Sequence, residues 1–484
     1  MQDGVRAYGN RKFKDPIGII ACMHTGKEPM ETISERKQKA KEYRKTTSRS
    51  DLGIWKPKTG RKIVEELILS QEKTRVQKLI PIRRQRMAES PFTFFRGAAI
   101  IQAHDLAQTP KTPFYVQACG DAHISNFGIF ASPERRMLFD INDFDETLPA
   151  PFEVDIKRLL ASIEICGRDR KFPKDQREKV VYEAAQLYRE TIHDFSKKGN
   201  MEVWYAHLDV ENFLEKNKQL LEREEIDYIN GVVRKALTKT SALAFEKLME
   251  TADGQLRIKS NPPFVVPIRD LAGEEKTEFD FAVSIRKAIE LYKESLPMER
   301  RKLIDQYEPL ELAHKIVGVG SVGLQAWILA MTGNSEKDPL MLQIKEAKQS
   351  VLEEYYGASI YEKSGHRIVE GQRAIQTGGD ILLGWLRLNT SEGRVRDFYV
   401  RQLWDAKGSF DLKNITPEGY YGLSLMCAWT LAKAHSKTGD RHAIAAYLGK
   451  NDRFEHAMVN YARAYADQNK ADYEMFLAFS RDML

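Results

Sequence analysis

The sequence predicts an α+β fold in which helices and strands occupy different parts of the chain. Apolar residues recur at three- and four-residue spacing over 155–166, 176–197, 224–250 and 279–305, and again over 420–435 and 454–479, which is typical of amphipathic helices. Between residues 311 and 410, short apolar runs separated by turn residues indicate strands instead. With 484 residues and 42% apolar composition, the chain can bury a sizeable core and form two lobes.

The first 80 residues are expected to form a basic arm. Lys and Arg are concentrated in 35–49 and 56–62 among Gly, Ser and Thr, which indicates an exposed segment that wraps the body of the protein. Tyr43 and Trp55 are the aromatic residues interleaved with these charges, too few for a nucleic-acid-binding arm. The net charge of +6 also argues against nucleic acid and suits an anionic nucleotide.

Residues 119–126, Cys-Gly-Asp-Ala-His-Ile-Ser-Asn, place an Asp and an Asn five positions apart. This is the spacing of a kinase catalytic loop, whose Asp takes the proton of the acceptor hydroxyl and whose Asn helps to hold magnesium. Apolar runs on both sides of 131–134 predict a hairpin that carries Asp143 back beside Asn126. We therefore predict Asp121 as the base and Asn126 and Asp143 as metal ligands. A turn cap and a solvated acidic corner are the alternative interpretation.

Beyond this spacing, the chain resembles a known family. The segments 86–97, 120–128 and 142–146 are similar to those of a large bacterial family, domain of unknown function 2252, and the loop resembles those of aminoglycoside and choline phosphotransferases. The resemblance extends over most of the chain beyond about residue 80 and implies a kinase-like fold without an established substrate. It also implies that Asp155 begins a supporting helix. One departure is Cys119, since most kinase-like loops have a scaffold His two residues before the Asp.

The phosphate-covering glycine loop and its Lys normally precede a catalytic loop, but here they follow it. A Gly-x-Gly-x-x-Gly run is formed by Gly318, Gly320, Ser321 and Gly323. Farther on, Leu-Gln-Ile-Lys at 342–345 resembles the Lys-bearing strand of a kinase small lobe, and its alternation places Leu342 and Ile344 on the face opposite Lys345. Turn residues at 332–334 favour a strand, Gly loop, strand, turn, strand order.

This order predicts a circularly permuted, two-lobed kinase-like fold. One nucleotide–magnesium complex can bridge Lys345 and Asp143 only if their side chains approach within roughly 10 Å across a cleft. Glu353 and Glu370 are both available to pair with Lys345, and Arg96 is a candidate phosphate ligand. The strand predicted over 397–404 leads into a hinge where adenine would sit.

Three other functions suit the same motifs. Nucleotidyl transfer is possible on the same fold if the nucleotide is reversed. A non-catalytic nucleotide-binding protein would use the site for binding alone. A dinucleotide-binding protein would bind NAD through the glycine run, followed by a helix over 324–331 and an acid at Glu346, although that helix is short.

We therefore predict four regions: a basic arm (1–80), a catalytic-loop and helical lobe (81–310), a nucleotide-covering strand lobe (311–410) and C-terminal helices packing on the helical lobe (411–484). The expected cofactors are ATP and Mg²⁺, with a small-molecule or protein hydroxyl as acceptor. Four widely separated cysteines favour neither zinc nor disulfides. The absence of a ~18-residue apolar run and of a signal-peptide pattern predicts a cytoplasmic protein. Oligomeric state has no sequence signal.

Overall fold

A computed structural model of the chain describes residues 31–217, 223–271, 278–316, 322–389 and 395–481. The helices within these ranges are α1 Ile33–Tyr43, α2 Val64–Glu72, α3 Ile80–Met87, α4 Pro91–Gly97, α5 Ala99–Ala107, α6 Glu153–Asp169, α7 Lys174–Phe195, α8 Asn200–Tyr205, α9 Val210–Asn217, α10 Arg223–Leu237, α11 Ser241–Leu248, α12 Ile268–Leu271, α13 Glu278–Glu294, α14 Met298–Ile304, α15 Glu353–Tyr356, α16 Ser364–Ile375, α17 Pro417–Thr438, α18 Arg441–Leu448 and α19 Arg453–Ser480. The strands are β1 Tyr115–Ala118, β2 Phe127–Ala131, β3 Met137–Ile141, β4 Leu148–Pro151, β5 Leu208–Asp209, β6 Met249–Ala252, β7 Gln255–Ile258, β8 Val265–Pro267, β9 Glu308–Lys315, β10 Ala326–Thr332, β11 Pro339–Ala347, β12 Gly384–Asn389 and β13 Val395–Gln402.

The mixed α+β class is confirmed, but two of the predicted helices are broken. The helix predicted over 224–250 divides into α10 and α11, because Thr240 caps the start of α11 by accepting a hydrogen bond from the Leu243 N–H (3.2 Å), and its last residues form β6. The helix predicted over 279–305 divides into α13 and α14 at Pro297, which lacks the backbone N–H that a continuous helix requires.

Two small antiparallel pairings position the predicted catalytic segments. The predicted hairpin is confirmed as β2 and β3. It returns the chain from Asn126 to residues 142–146, which follow β3 and which we call the acidic segment. Pairing of β1 with β4 then holds the entry to the Asp121 loop beside the exit from that acidic segment. Both loops therefore lie at the same end of these strands.

A six-stranded antiparallel sheet has the order β12-β13-β11-β10-β9-β8. The predicted strands on both sides of the glycine run and of the turn are confirmed as β9, β10 and β11, while most of the glycine run lies outside the described residues. Leu342 and Ile344 lie on the face that packs against Tyr292 of α13, as the alternation predicted. On the opposite face, Met341 packs against Phe245 of α11.

The largest apolar core joins α6, α7, α17 and α19 with the short strands. Almost every residue of α6 is buried, including charged ones, so this helix is the central support of the site. Among the residues that the structure describes, no helix combines the length and the apolar character needed to cross a membrane.

The described part of the basic arm is folded onto the body through its arginines. Arg44 Nε donates to the carbonyl oxygen of Tyr447 (2.8 Å). Arg61 is bound between the carboxylates of Asp105 and Asp472, with 2.6 Å to each. These arginines therefore serve intramolecular contacts, so the basic composition of the segment does not by itself indicate an external partner.

Candidate active site

The loop at 119–126 is held by the first turn of α6, as expected for Asp155. The Asp155 carboxylate accepts hydrogen bonds from the backbone N–H groups of Cys119 (2.8 Å) and Gly120 (3.0 Å). Gly120 has a φ of +83°, and a Cβ at this position would lie 2.1 Å from the carbonyl oxygen of Glu146. The loop conformation therefore depends on a glycine at 120 and on a carboxylate at 155.

A histidine of α17 completes this support. His435 of α17 is fully buried, with Nε2 3.3 Å from the Asp155 carboxylate and Nδ1 2.7 Å from the Tyr188 hydroxyl. Its imidazole thus lies behind the carboxylate that fixes the loop. Helix α17, distant in the sequence, thus places an imidazole against the support of the loop that begins at Cys119.

Asp121 has one carboxylate oxygen in an ion pair. Arg158 Nε donates to Asp121 Oδ1 (2.8 Å), and His123 Nε2 lies 3.6 Å from Oδ2. Burial holds the pKa of His123 well below its usual value, so His123 is neutral at neutral pH and Arg158 is the pairing cation. Burial raises the pKa of Asp121, while Arg158 and Arg96 oppose the increase. A raised pKa makes this carboxylate a stronger base than an ordinary Asp.

Asn126 and Asp143 lie beside this loop, as the hairpin predicted. Asn126 Nδ2 donates to the carbonyl oxygens of Asp121 (2.9 Å) and Asp143 (3.1 Å). These two hydrogen bonds orient the Asn126 amide, and its Oδ1 is the atom that could coordinate a metal ion. Because the Asp143 side chain is 40% exposed, its carboxylate is accessible from the cleft.

Lys345 of β11 reaches the same acidic segment. Its Nζ lies 2.5 Å from Asp145 Oδ2 and 3.8 Å from Asp143 Oδ2, although Lys345 and Asp145 are 200 positions apart in the chain. Tyr399, the cross-strand neighbour of Lys345 in β13, donates its hydroxyl to Asp145 Oδ1 (3.0 Å). The predicted approach of Lys345 to Asp143 is confirmed, and Asp145 is a closer partner that the sequence did not distinguish.

The two carboxylates differ in how strongly they engage this ammonium. Burial acts to lower the pKa of Lys345, but Asp143 and Asp145 outweigh it and hold that pKa above its usual value. Burial and the neighbouring Asp145 raise the pKa of Asp143. Burial would also raise the pKa of Asp145, yet Lys345 and Tyr399 lower it on balance. Asp145 is therefore the ion-pair partner, and Asp143 is the carboxylate better placed for a ligand.

These acidic residues line a cavity of about 560 Å³, which we call the carboxylate cavity. Its walls also carry basic side chains from four separate segments. The basic residues are Arg75, Arg96, Lys348 and Arg396, and the acidic and amide residues are Asp121, Asn126, Asp143, Asp145, Glu146, Glu346 and Asp397. Burial, with neighbouring arginines, lowers the pKa of Lys348 to about 8. A cavity of this size with both metal-binding oxygens and cations suits a small polyanion such as a nucleotide.

The predicted glycine loop adjoins this cavity at its described end. Outside the described residues lie Gly318, Gly320 and Ser321. Gly323 has a φ of +89°, and its carbonyl oxygen accepts a hydrogen bond from the Val76 N–H (2.8 Å). Arg75 Nη1 donates to the carbonyl oxygen of Val322 (2.6 Å) and also lines the cavity. The basic segment before residue 80 thus holds the end of the glycine loop, a contact without any local sequence signal.

Arg96 of α4 also lies in the cavity wall. Its guanidinium carbon lies 5.9 Å from the centroid of the Phe92 ring, and its buried Nε has no hydrogen-bond partner among the described residues. Burial lowers the pKa of Arg96, which the charge of Asp121 partly offsets. Arg96 therefore remains a candidate anion ligand beside Asp121.

The two glutamates proposed as partners of Lys345 pair elsewhere in the described structure. Glu353 Oε1 lies 3.6 Å from Arg367 Nε, and Glu370 pairs with Arg373 at 2.8 Å. Arg367, a buried residue of α16, donates to the carbonyl oxygen of Asp145 (2.8 Å). Helix α16 therefore holds the backbone of the acidic segment, while Asp143 and Asp145 take the place of the expected glutamate.

The strand that was expected to lead toward the adenine has different surroundings at its two ends. At the end of the predicted strand 397–404, Leu403 and Trp404 pack with Phe245 of α11. The start of the same strand, at Val395–Asp397, lines the carboxylate cavity instead. The end of this strand is therefore covered by apolar side chains of α11, and the adenine position beside it stays a prediction.

The ligand set fits magnesium bound together with a nucleotide. The carboxylate of Asp143 and Oδ1 of Asn126 are hard oxygen ligands of the type that Mg²⁺ prefers. Across the described ranges, no group of three or more His, Cys, Asp or Glu side chains is arranged to hold a metal ion. Two protein ligands suffice where phosphates and water complete the coordination, as is common for Mg²⁺.

Fold and site together define a mixed α+β protein in which an acidic, loop-borne site faces a lysine-bearing antiparallel sheet. The chain belongs to the family described as uncharacterized protein conserved in bacteria (DUF2252), whose family model matches residues 75–479. No curated protein and no solved structure matches the chain. The match begins at Arg75, the residue that contacts the end of the glycine loop.

Proposed function

We propose that the chain is an ATP- and magnesium-dependent phosphotransferase with a kinase-like site and a hydroxyl acceptor. The observation that carries the proposal is the 3.8 Å approach of Lys345 to Asp143, next to a cavity lined by Asp121 and Asn126. In kinases a phosphate-binding Lys and a metal-binding Asp must both be in place at one site. Contact between residues so far apart in sequence supports a common function.

The order of the strands supports the same proposal. β9, β10 and β11 are neighbours in the sheet, with the glycine run between the first two and Lys345 on the third. In protein kinases a glycine-rich loop covers the phosphates and the Lys likewise lies on the third strand. Because the Asp121 loop precedes these strands here, the proposed kinase-like topology is circularly permuted.

Each residue has a role in the proposed reaction. The acceptor oxygen bonds to the γ-phosphorus while Asp121 Oδ2 takes its proton, and the bond to the β,γ-bridging oxygen breaks so that ADP leaves with the electron pair. Asn126 and Asp143 would hold magnesium, which neutralises charge on the phosphate oxygens. Lys345 would contact the α- and β-phosphates. Arg158 orients Asp121 through the 2.8 Å ion pair.

One observation favours nucleotidyl transfer as a second candidate. The Lys345 side chain is only 3% exposed. Helix α11 packs beside the end of β13, whereas the start of β13, Val395–Asp397, lines the carboxylate cavity. A base at that start enters from the end opposite to the expected hinge, which reverses the order in which the phosphates meet the site. Asp121 would then direct the acceptor to the α-phosphorus, and pyrophosphate would leave.

Nucleotide binding is tested first by thermal unfolding of the full chain with ATP, ADP, AMP or NAD, with and without magnesium chloride. Ligand at 100 times its Kd stabilises a protein by about 2.7 kcal/mol, so a bound nucleotide gives a clear rise in Tm. We expect ATP with magnesium to stabilise the wild type and Asp143→Ala to abolish the magnesium-dependent part. Asp253→Asn removes an exposed carboxylate from the β6–β7 turn and serves as control. An unchanged magnesium effect in Asp143→Ala rejects the metal assignment, and preferential stabilisation by NAD supports the dinucleotide alternative.

Chemistry is tested by following ATP turnover with the label at the γ- or the α-phosphate. Release of ADP with the γ-label on the acceptor supports phosphoryl transfer, whereas release of pyrophosphate with the α-label on the acceptor supports nucleotidyl transfer. We expect Asp121→Asn to retain nucleotide-dependent stabilisation and to slow turnover by about 10² or more, the scale for loss of a general base. Turnover by Asp121→Asn at the wild-type rate would reject Asp121 as the base. Binding without any turnover in the wild type would indicate a non-catalytic nucleotide-binding protein.

A further inference from the structure

A second cavity, of about 680 Å³, adjoins the carboxylate cavity. Its walls are formed by α4, the end of α6 and residues 409–413, and we call it the arginine cavity because Arg96 and Arg170 line it. Arg96 and Ser125 line both cavities. The two spaces therefore meet beside the Asp121 loop.

In the arginine cavity two arginines each have a buried donor atom without a hydrogen-bond partner, whereas the carboxylates have partners. The buried Nε atoms of Arg96 and Arg170 have no hydrogen-bond partner among the described residues. Of the carboxylates, Glu89 pairs with Lys413 (3.0 Å), and Asp411 accepts from Asn414 Nδ2 (2.8 Å). Asp169, at the exposed end of α6, interacts with Arg170 and with the Ser90 hydroxyl. Lys235 adds a third basic group to the wall. The charge left for a ligand is therefore positive.

Apolar groups form the rest of the wall. Phe92, Phe127 and Phe410 line the cavity between the charged residues, and Arg96 lies over the Phe92 ring. Guanidinium groups bind phosphates and carboxylates through paired N–H donors, while aromatic faces pack against a short carbon skeleton. This combination suits a small organic anion better than an inorganic ion alone.

We propose that the arginine cavity binds the acceptor, and that the acceptor is a small hydroxyl compound carrying a phosphate monoester or a carboxylate. This inference rests on the proposed function, since it assigns the second substrate of the same site. Arg96 and Arg170 bind the anionic group and leave the hydroxyl directed toward the shared wall.

The shared wall connects the acceptor to the base. Ser125 Oγ lies 3.1 Å from His123 Nδ1, and His123 Nε2 lies 3.6 Å from Asp121 Oδ2. An acceptor hydroxyl that enters past Ser125 therefore meets Asp121 Oδ2, whereas Arg158 contacts Oδ1 of the same carboxylate. Arg96, next to both cavities, would contact the anion of the acceptor and the transferred group in succession.

Binding of three compounds on one carbon skeleton tests the proposal: glycerol, D-glycerate and glycerol 3-phosphate. Titration calorimetry of the full chain at constant ionic strength, without nucleotide or magnesium, separates this test from any test of transfer. We expect one or both anions to bind more tightly than glycerol, and Arg170→Gln to weaken that binding by about tenfold, the loss of one charge-assisted hydrogen bond. Lys174→Gln removes an exposed cation near the same end of α6 and should change nothing.

The outcomes are distinguishable. Phosphate-only or carboxylate-only binding identifies the anion, and Lys235→Gln provides a second variant if Arg170→Gln does not fold. Binding of glycerol as tight as or tighter than that of both anions overturns the proposal, as does anion binding that neither Arg170→Gln nor Lys235→Gln weakens. If anion binding depends on Arg170 but the protein turns over no nucleotide, the anion site is supported and the proposed transfer reaction is rejected.

Discussion

Replacement of Lys345 by Met tests whether the acidic segment depends on this ammonium. Met retains an unbranched apolar stem, so the change chiefly removes a positive charge 2.5 Å from Asp145 and 3.8 Å from Asp143. The Tyr399 hydroxyl continues to donate to Asp145. Any loss of stability therefore reports the ion pairs more than the packing.

The magnitude follows from burial. Removing one partner of a buried ion pair costs about 3–5 kcal/mol, because the other charge is left without compensation. Lys345 is 3% exposed, but the Asp145 and Asp143 side chains are 21% and 40% exposed, so water screens part of the effect. We expect Lys345→Met to lose about 2–3 kcal/mol of unfolding free energy near pH 8.

The loss depends on pH with a defined sign. In the wild type, Lys345 keeps the pKa of Asp145 below its ordinary value of 3.8, so this stabilisation is present above that pH and is lost as the pH falls. In Lys345→Met the repulsion between the two carboxylates is offset by Arg401 but no longer by Lys345, so their pKa values rise. The folded variant then binds more protons than the unfolded chain, so its stability falls as pH rises through about 4 to 7. The difference from wild type is therefore greatest above neutrality.

Urea unfolding near pH 5 and near pH 8 measures both quantities. Lys345→Arg retains the charge and should lose less stability than Lys345→Met near pH 8, and Lys174→Met controls for removal of an exposed Lys. A Lys345→Met protein as stable as wild type near pH 8 would refute the assignment of the ion pair. A loss of equal size at both pH values would show that packing, not charge, is responsible.

Two further changes probe the loops that carry the site. Gly120→Ala adds a Cβ 2.1 Å from the Glu146 carbonyl oxygen at a positive φ, so it should cost about 1–3 kcal/mol of unfolding free energy and slow turnover. Gly422→Ala adds a Cβ to α17 at a position with open space around it and should stabilise the protein by about 0.5–1 kcal/mol. Thermal unfolding compares the two variants, and equal stabilities would contradict the close approach at Gly120. Burial raises the pKa of Glu146 from 4.5 to about 7, so the folded state binds the extra proton and stability falls as pH rises through this range. Glu146→Gln can still accept from the Val351 N–H and should remove about 3 kcal/mol of that decline, and parallel pH profiles of the two proteins would disprove it.

Local patterns predicted the parts of the site that depend on neighbouring residues. The spacing of Asp121 and Asn126 and the hairpin leading to Asp143 are encoded within a short segment, where turn and strand signals act over a few positions. Alternation in β11 likewise identified the face that carries Lys345. The break at Pro297 also had a local signal, because proline within a predicted helix interior indicates its end.

Contacts between distant segments had no such signal. Asp145 was visible in the acidic segment, but its pairing with Lys345 and Tyr399 depends on how the sheet lies against the hairpin. Arg367 belongs to an ordinary amphipathic helix by its spacing, yet it is buried against the backbone of the acidic segment. The packing of α11 against Leu403 and Trp404 is similarly a property of the tertiary structure, which helix periodicity alone does not locate.

The Asp121 loop and the acidic segment are joined more firmly to one another than to Arg75 and Arg96, two cations of the carboxylate cavity. Pairing of β1 with β4 and the 2.6 Å bond from the Thr147 hydroxyl to the Ala118 carbonyl oxygen fix the Asp121 loop beside the acidic segment. Arg75 instead comes from the segment between α2 and α3, and Arg96 from α4. Because the β1–β4 pairing fixes the two segments, the spacing between the Asp121 and Asp143 carboxylates should persist when a ligand enters. The basic side chains belong to separate supports, so adjustment to ligands of different size should occur mainly on the cationic side of the cavity.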